Sequence, residues 1–183
     1  MHDEPRSLYL IGMPGSGKTS LGRALAAALA LPFVDVDAQV EAETGMSIPS
    51  LFAQRGEAAF RALESQALSA LAQGGPQVMA TGGGIVLDPR NVAFLRRTGL
   101  VLWVDRPVAR IAADVRQDTR PLLHGDVANR LAALYAQREP LYRGAAHLRL
   151  LNAGSLACAC KDTLVLLQKE GFGRVTVNLP QKK

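Results

Sequence analysis

A glycine-rich run near the amino terminus has the residue types of a phosphate-binding loop. Residues 12–19 read GMPGSGKT and match the pattern G-x-x-x-x-G-K-[S/T] at every fixed position. Small residues let the backbone curl so that successive N–H groups point at phosphate oxygens, and the amino end of the following helix adds positive potential. Lys18 is expected to reach the β- and γ-phosphates of a nucleotide, and Thr19 to bind Mg²⁺ through its hydroxyl. An ordinary glycine turn is the alternative, and the predicted strand before the run and helix after it argue against that.

Two aspartates stand at the end of the second predicted strand, where Asp35 and Asp37 flank Val36. One carboxylate could hold a metal-bound water, and the other could orient a hydroxyl and accept its proton. The alternative is a helix N-cap beside a solvated carboxylate. A strand end next to a phosphate loop is where a metal ion and an acceptor hydroxyl must meet, so we favour the catalytic interpretation.

A charged pair and a glycine triplet add a second candidate binding region. Arg61 and Glu64 are three residues apart on one predicted helix. They could form a surface pair worth a few tenths of a kcal/mol, or Glu64 could hold Arg61 in place to bind a carboxylate through two hydrogen bonds. The triplet 82–84 follows the third predicted strand. It is either a plain turn or a place where the main chain approaches a ligand closely.

Arginines accumulate between residues 106 and 149, where few acids offset them. Arg116 and Arg120 bracket the start of a polar segment, 117–126, which we expect to be a loop that carries arginine onto phosphates and excludes water. A nucleic-acid surface is disfavoured because aromatic residues are 5% of the chain and do not interleave with the arginines. A solvated basic face is our interpretation of three others, Arg130, Arg143 and Arg149.

The elements that must position these residues alternate between strand and helix. Such alternation predicts a parallel sheet with helices on both faces, and ligands on such a sheet lie at the carboxyl ends of the strands. Pro140 is expected to bend or end the helix that contains it. The predicted strands are 8–11, 33–36, 78–80, 100–104 and 147–151, with a possible small extra strand at 175–179. The predicted helices are 18–31, 37–43, 48–54, 57–73, 88–97, 107–115, 127–145 and 155–169.

Length and composition limit the class of protein. A chain of 183 residues predicts one domain, and 48% hydrophobic with 20% charged residues excludes a disordered or fibrous chain. The net charge of +5 fits an anionic partner. Cys158 and Cys160 are too few for a disulfide framework. Because no leader or membrane-spanning segment is recognised either, we expect a cytoplasmic protein that does not bind membranes.

Six separated motifs, in their order and spacing, resemble the shikimate kinase family over about residues 8–167. The motifs are residues 12–19, Asp35-Val36-Asp37, FRALE at 60–64, the glycines at 82–84, RPLL at 120–123 and REPLY at 138–142. The resemblance implies a three-layer α/β P-loop fold with helices on both faces of a five-stranded parallel sheet in the order 2-3-1-4-5. It also implies a single kinase domain over residues 1–183, with a mobile lid at about 116–126 and a C-terminal tail at 171–183.

The resemblance also implies which residues bind the two substrates. Arg120 would contact the transferring phosphate, and Arg116 would lie near adenine. Thr19, together with Asp35 through water, would hold Mg²⁺. ATP phosphates would lie on Gly15, Ser16, Gly17, Lys18, Thr19 and Ser20. Shikimate would be bound by Asp37 at its ring hydroxyls, by Arg61 and Arg138 at its carboxylate, and by the backbone of Gly82, Gly83 and Gly84.

The implied reaction is ATP-dependent phosphorylation of the 3-hydroxyl of shikimate, a step in the chorismate route to aromatic amino acids. Lys18 and Arg120 would neutralise charge while Asp37 positions the nucleophile, in an enzyme expected to be a monomer without a nucleic-acid partner. A kinase for another small hydroxy acid, such as gluconate, or for a nucleotide is one alternative. A nucleotide-binding regulatory or nucleic-acid-associated module is the other, and salt-sensitive nucleic-acid binding without acceptor-dependent turnover would distinguish it.

Overall fold

The computed structural model describes residues 6–118 and 124–172. Its five parallel strands form one sheet in the order β2-β3-β1-β4-β5. This confirms the predicted α/β class and strand order. The strands are β1 Ser7–Ile11, β2 Phe33–Asp35, β3 Val78–Ala80, β4 Gly99–Asp105 and β5 Leu148–Leu151. The predicted extra strand at 175–179 lies outside the described residues.

Helices connect the strands and cover both faces of the sheet. They are α1 Lys18–Leu29, α2 Val36–Thr44, α3 Ile48–Leu71, α4 Pro89–Thr98, α5 Val108–Asp118, α6 His124–Ala145 and α7 Leu156–Lys169. Short 3₁₀ turns occupy Ala72–Gly74 and Ile85–Leu87. Gly56 interrupts α3 with a φ of 78°, so the two helices predicted on either side of this residue are two arms that meet at a kink.

One prediction around α6 is wrong, and a second is wrong in one of its two alternatives. The predicted polar segment 117–126 is shorter, because α5 reaches Asp118 and α6 begins at His124. Pro140 does not end α6, which continues to Ala145. A proline removes one helical hydrogen bond, and tertiary packing can outweigh that loss. Here Tyr142, which is fully buried, packs against Trp103 of the sheet and holds the far side of the helix in place.

Alternating side chains of the central strands divide the core into two layers. Tyr9, Ile11 and Trp103 face a cluster completed by residues of α2, α3, α4 and α6. Leu8 and Leu10, one residue out of phase, face a second cluster completed by α1 and α7. This alternation is what a strand covered on both faces requires. The elements that carry the candidate acceptor residues, α2, α3 and α6, therefore all lie on one side of the sheet.

Within the described residues, no helix combines the length and the apolar character that a bilayer crossing requires.

Candidate active site

The candidate residues lie at the carboxyl ends of the strands, together on one side of the molecule. The loop after β1 is the GMPGSGKT run, Asp35 ends β2, Thr81 follows β3, Asp105 ends β4 and Asn152 follows β5. Because all five strands are parallel, their carboxyl ends lie together, which is where such sheets bind ligands.

The GMPGSGKT run curls tightly between β1 and α1. Gly12 and Gly17 have φ angles of 144° and 93°, in a region where a side chain would be strained. A Cβ at position 12 would also meet the carbonyl oxygen of Val104. The ammonium of Lys18 bends back over this curl and donates hydrogen bonds to the carbonyls of Gly12 and Met13, at 2.9 and 2.8 Å. The loop thus has the backbone shape that the motif predicts.

The ammonium of Lys18 is almost fully buried. Burial lowers the pKa of Lys18 from 10.5 to about 8, although the nearby carboxylates of Asp37 and Asp35 counteract part of this shift. Among the described residues this buried ammonium donates hydrogen bonds to carbonyl oxygens alone, so an anionic ligand would stabilise its charge. The loop is therefore prepared electrostatically for phosphate.

Thr19 and Asp35 supply an oxygen-only pair beside the loop. The Thr19 hydroxyl donates to Asp35 Oδ2 at 2.8 Å. The other oxygen, Oδ1, accepts from the backbone N–H groups of Asp37 and Ala38 and so caps α2. Mg²⁺ prefers oxygen ligands and commonly takes only one or two from protein beside those of a nucleotide and water. This hydroxyl–carboxylate pair fits that chemistry. The structure thus shows the N-cap role of Asp35, and the Oδ2 atom beside Thr19 leaves the metal role as a prediction.

Asp37 and Glu64 converge on Gly82. A Cβ at position 82 would meet Glu64 Oε1 and would lie 2.7 Å from Asp37 Oδ1. Both oxygens are buried and have no hydrogen-bond partner among the described residues. Burial raises the pKa of Asp37, with Asp35 adding to the effect, and burial likewise raises the pKa of Glu64 against the attraction of Arg61. Unpartnered carboxylate oxygens at a glycine loop are acceptors ready for ligand hydroxyls.

Arg61 is held between two glutamates and the glycine loop. Its Nη1 donates to the fully buried Glu64 at 2.7 Å, and its Nη2 donates to Glu57 at 3.1 Å. The guanidinium lies so close to Gly84 that a Cβ there would collide with it. The Arg61–Glu64 pair is thus not the exposed surface pair that its spacing also allowed, because one partner is buried.

Arg138 reaches the same loop from α6. Its Nη1 donates to the carbonyl oxygen of Gly83 at 3.1 Å, and the Tyr142 hydroxyl donates to that oxygen at 2.5 Å. Arg138 Nε is buried without a partner among the described residues. Arg61 and Arg138 therefore approach the glycine triplet from different helices.

The structure describes only some of the other residues predicted to bind the nucleotide. Gly15, Ser16 and Ser20 lie on the loop and the first turn of α1, with the Ser16 hydroxyl buried and without a partner among the described residues. Arg120 lies outside the described residues. Arg116 lies on α5, but its side chain is outside the described part of the structure.

Sequence reasoning missed two residues of this region. Asn152 donates from Nδ2 to the carbonyl of Ser16 at 2.8 Å and so ties the loop after β5 to the phosphate loop. Tyr142 belongs to the REPLY motif, but nothing in its type showed that its hydroxyl would bond to Gly83. The position of Asn152 directly after a strand was the signal available for it.

Arg149 is exposed, as predicted for the solvated basic face, but it also has a specific partner. It donates to Asp105 Oδ2 through Nε at 3.0 Å and Nη2 at 2.6 Å, and it lies over the Trp103 ring. Asp105 is 3% exposed. A buried carboxylate needs such a partner, and the pairing spans 44 residues of sequence.

Comparisons with known proteins agree with this geometry. The family model described as shikimate kinase matches residues 14–166. A shikimate kinase of Symbiobacterium thermophilum is 42% identical over 170 residues, covering 90% of this chain and 98% of the relative. The solved shikimate kinase from Acinetobacter baumannii in complex with shikimate superposes with a TM-score of 0.82 at 34% identity, covering 92% of this chain and 96% of that one.

A more distantly related structure is similar in fold but not in sequence. A gluconokinase from Sinorhizobium meliloti 1021 has a TM-score of 0.58 at 19% identity, covering 92% of this chain and 95% of that one. It shares the fold alone. The phosphate loop, the buried Arg61–Glu64 pair and the glycine triplet occur here in a chain that the family model covers through nearly all its described length. The protein therefore belongs to the shikimate kinase family.

Proposed function

We propose that the protein transfers the γ-phosphoryl group of ATP to the 3-hydroxyl of shikimate, a step in aromatic amino-acid biosynthesis. One observation carries the choice of acceptor. Arg61 and Arg138 meet at the glycine triplet, and the unpartnered oxygen of Asp37 lies at the same triplet. Two cations beside a proton acceptor suit a small molecule that has both a carboxylate and a hydroxyl.

The nucleotide binds through the GMPGSGKT run. Backbone N–H groups of Gly15 to Ser20 donate hydrogen bonds to phosphate oxygens. The Lys18 ammonium leaves its carbonyl partners and binds the β- and γ-phosphates. Thr19 and Asp35, which lie side by side, would hold Mg²⁺. When bound, the ion neutralises phosphate charge. Arg120, in the segment between α5 and α6, is proposed to add positive charge, and Arg116, on α5, to add a stacking surface.

Asp37 positions the acceptor and takes its proton. The 3-hydroxyl oxygen forms the new bond to the γ-phosphorus in line with the bond to ADP that breaks, and its proton passes to Asp37. The raised pKa of Asp37 makes this carboxylate a better acceptor than an ordinary aspartate. Most of the acceleration comes from holding both reactants in place and from the surrounding positive charge.

Arg61 and Arg138 bind the shikimate carboxylate, and the Gly82–Gly84 backbone lies against the ring. Arg61 is already fixed by Glu64, so little of its side-chain freedom is lost when substrate binds. Glu64 therefore acts on shikimate through Arg61 and serves as a positioning residue.

A coupled assay of ADP release tests the proposal. With ATP and Mg²⁺, we expect shikimate to raise turnover at least about a hundredfold above the rate without acceptor, and gluconate to leave it unchanged. A response to gluconate but not to shikimate would assign the alternative hydroxy-acid kinase. Turnover that responds to neither, together with salt-sensitive binding to nucleic acid, would assign the non-enzymatic module.

Four further expectations remain predictions. They are the single domain over residues 1–183, the lid at about 116–126, the monomeric state and the cytoplasmic location.

A further inference from the structure

Arg106 stands at the carboxyl end of β4, directly before Pro107 and α5. Two residues earlier, the carbonyl of Val104 lies against Gly12 of the phosphate loop. The end of β4 thus packs on the loop that binds the nucleotide. The side chain of residue 106, which directly follows β4, therefore lies beside that loop.

The Arg106 guanidinium faces the last glycine of the loop. Its Nη1 lies 3.9 Å from the point where a Cβ of residue 17 would stand, and Asn152 Nδ2 lies 2.9 Å from the same point. Residue 17 is glycine and has no side chain of its own, so the Arg106 guanidinium and, more closely, the Asn152 amide both approach the loop backbone. Lys18, the phosphate-binding cation, is the next residue.

The hydrogen bonds of this guanidinium are only partly satisfied. Nη2 donates to Asp114 of α5 at 2.7 Å, while Nε is buried and has no partner among the described residues. The Asp114 side chain is 57% exposed, so water screens this ion pair and Arg106 can exchange it for another anionic partner. A purely structural arginine at this depth would have its buried donor satisfied.

We propose that Arg106 is a nucleotide-binding residue whose guanidinium donates hydrogen bonds to a phosphate oxygen of ATP, with Asp114 as its exchangeable partner when no nucleotide is bound. A planar guanidinium with several donors is well suited to phosphate. The inference rests on the proposed ATP-dependent function, because it assigns a further contact of the same nucleotide site.

Two matched variants separate this role from a structural one. Arg106→Gln removes the guanidinium, whereas Asp114→Asn removes the ion pair and keeps the guanidinium. Calorimetric titration with ADP should show a Kd about tenfold higher for R106Q and an unchanged or lower Kd for D114N. The Kd for shikimate should be the same in both variants and in the wild-type protein. A structural brace between β4 and α5 would instead make the two variants equally weak, which would overturn the proposal.

Inhibition of ATP turnover by adenosine tests the phosphate assignment. Adenosine has no phosphate, so its inhibition constant should be unchanged in R106Q. A loss equal to that for ADP would place Arg106 on the base or ribose and would refute the phosphate contact. If R106Q does not fold, Arg106→Lys replaces it. The lysine variant should bind ADP more weakly with shikimate binding intact, and wild-type ADP affinity would overturn the proposal.

Failure of the proposed function gives a different result. If the wild-type protein bound neither ADP nor ATP, the ATP-dependent function itself would be wrong. If the wild-type protein bound ADP and R106Q bound it equally well, only the role of Arg106 would be wrong.

Discussion

The negative charge of Asp37 destabilises the folded protein. Its carboxylate is largely buried beside Asp35, and one of its oxygens has no hydrogen-bond partner among the described residues. Because folding raises the pKa of Asp37 above 3.8, the folded state binds a proton more tightly than the unfolded chain does. The ionised carboxylate therefore lowers the free energy of unfolding as pH rises above that value. Such a cost is expected at a site built for chemistry.

Asp37→Asn should separate catalysis from stability. Without the carboxylate there is no proton acceptor, so we expect kcat to fall at least about a hundredfold while the Kd for ADP stays the same. The neutral amide removes the charge penalty, so Tm at pH 7 should rise by about 2 °C, which corresponds to less than about 1 kcal/mol.

Asp162→Asn is the control for Asp37→Asn, since Asp162 is exposed on α7. It should change neither kcat nor Tm. Near wild-type turnover in Asp37→Asn would refute the proton-acceptor role. A lower Tm in that variant would contradict the charge penalty.

Lys18 gives the nucleotide site a pH dependence. Its pKa of about 8 means that the ammonium loses its proton as pH rises through this value, and phosphate then meets a neutral amine. The Kd for ADP should be constant below about pH 7 and up to about tenfold higher at about pH 9. Shikimate binding is the internal control, because arginines stay charged throughout. An ADP affinity that does not change between these pH values would contradict the lowered pKa.

At the scale of elements, α6 carries two tyrosines with separate tasks. The Tyr142 hydroxyl donates to Gly83 in the glycine triplet, whereas the Tyr135 hydroxyl donates to Asp105 at 3.1 Å, at the end of β4. The Tyr135 hydroxyl thus bonds to the end of β4, and the Tyr142 hydroxyl bonds to the loop after β3, which we propose binds the acceptor.

Tyr142→Phe should raise the KM for shikimate several-fold, because Gly83 then keeps Arg138 as the donor shown by the structure and its loop is held less firmly. Tyr135→Phe is the matched control on the same helix. Both variants should lose about 1 kcal/mol of unfolding free energy in urea, the usual value of one hydrogen bond. Only Tyr142→Phe should change KM. Equal KM values in the two variants would show that the Tyr142 bond has no role in positioning.

The helices and loops that could be predicted from the sequence are those determined by neighbouring residues. The GMPGSGKT run, the two arms of α3 around Gly56 and the Ser155 cap of α7 follow from residues close in sequence. The passage of α6 through Pro140 does not follow in this way, because it depends on the packing of Tyr142 against Trp103 of the sheet. The pairing of Arg149 with Asp105 could not be read either, since it depends on the register of β4 and β5. Local pattern predicts which elements exist, and tertiary contact sets their ends and partners.

At the scale of the whole molecule, the acceptor site joins parts that are distant in sequence. Asp37 lies in the first turn of α2, and Arg61 lies in the second arm of α3. The glycine triplet follows β3, and Arg138 lies on α6. The unfolded chain cannot bring these groups together. Shikimate should therefore bind the folded state alone and stabilise it by mass action.

Shikimate at a hundred times its Kd should raise the unfolding free energy by about 2.7 kcal/mol, or Tm by about 5–10 °C for a chain of this length. Calorimetric scans with and without ligand measure this shift. Gluconate at the same concentration should leave Tm unchanged. Arg138→Ala should lose most of the shikimate shift, because one of the two cations for the carboxylate is gone. A full shift in Arg138→Ala would refute its role in binding.

The glycines at positions 82 and 84 also limit how the site can change under selection. A Cβ at position 82 would collide with Glu64, and one at position 84 would collide with Arg61. Even alanine, the smallest substitution, would displace a residue that we propose acts in acceptor binding. A competitive inhibitor that rests on this stretch of main chain would contact a surface that point mutation cannot reshape without loss of substrate affinity. Resistance to such a compound would have to arise at other positions of the pocket.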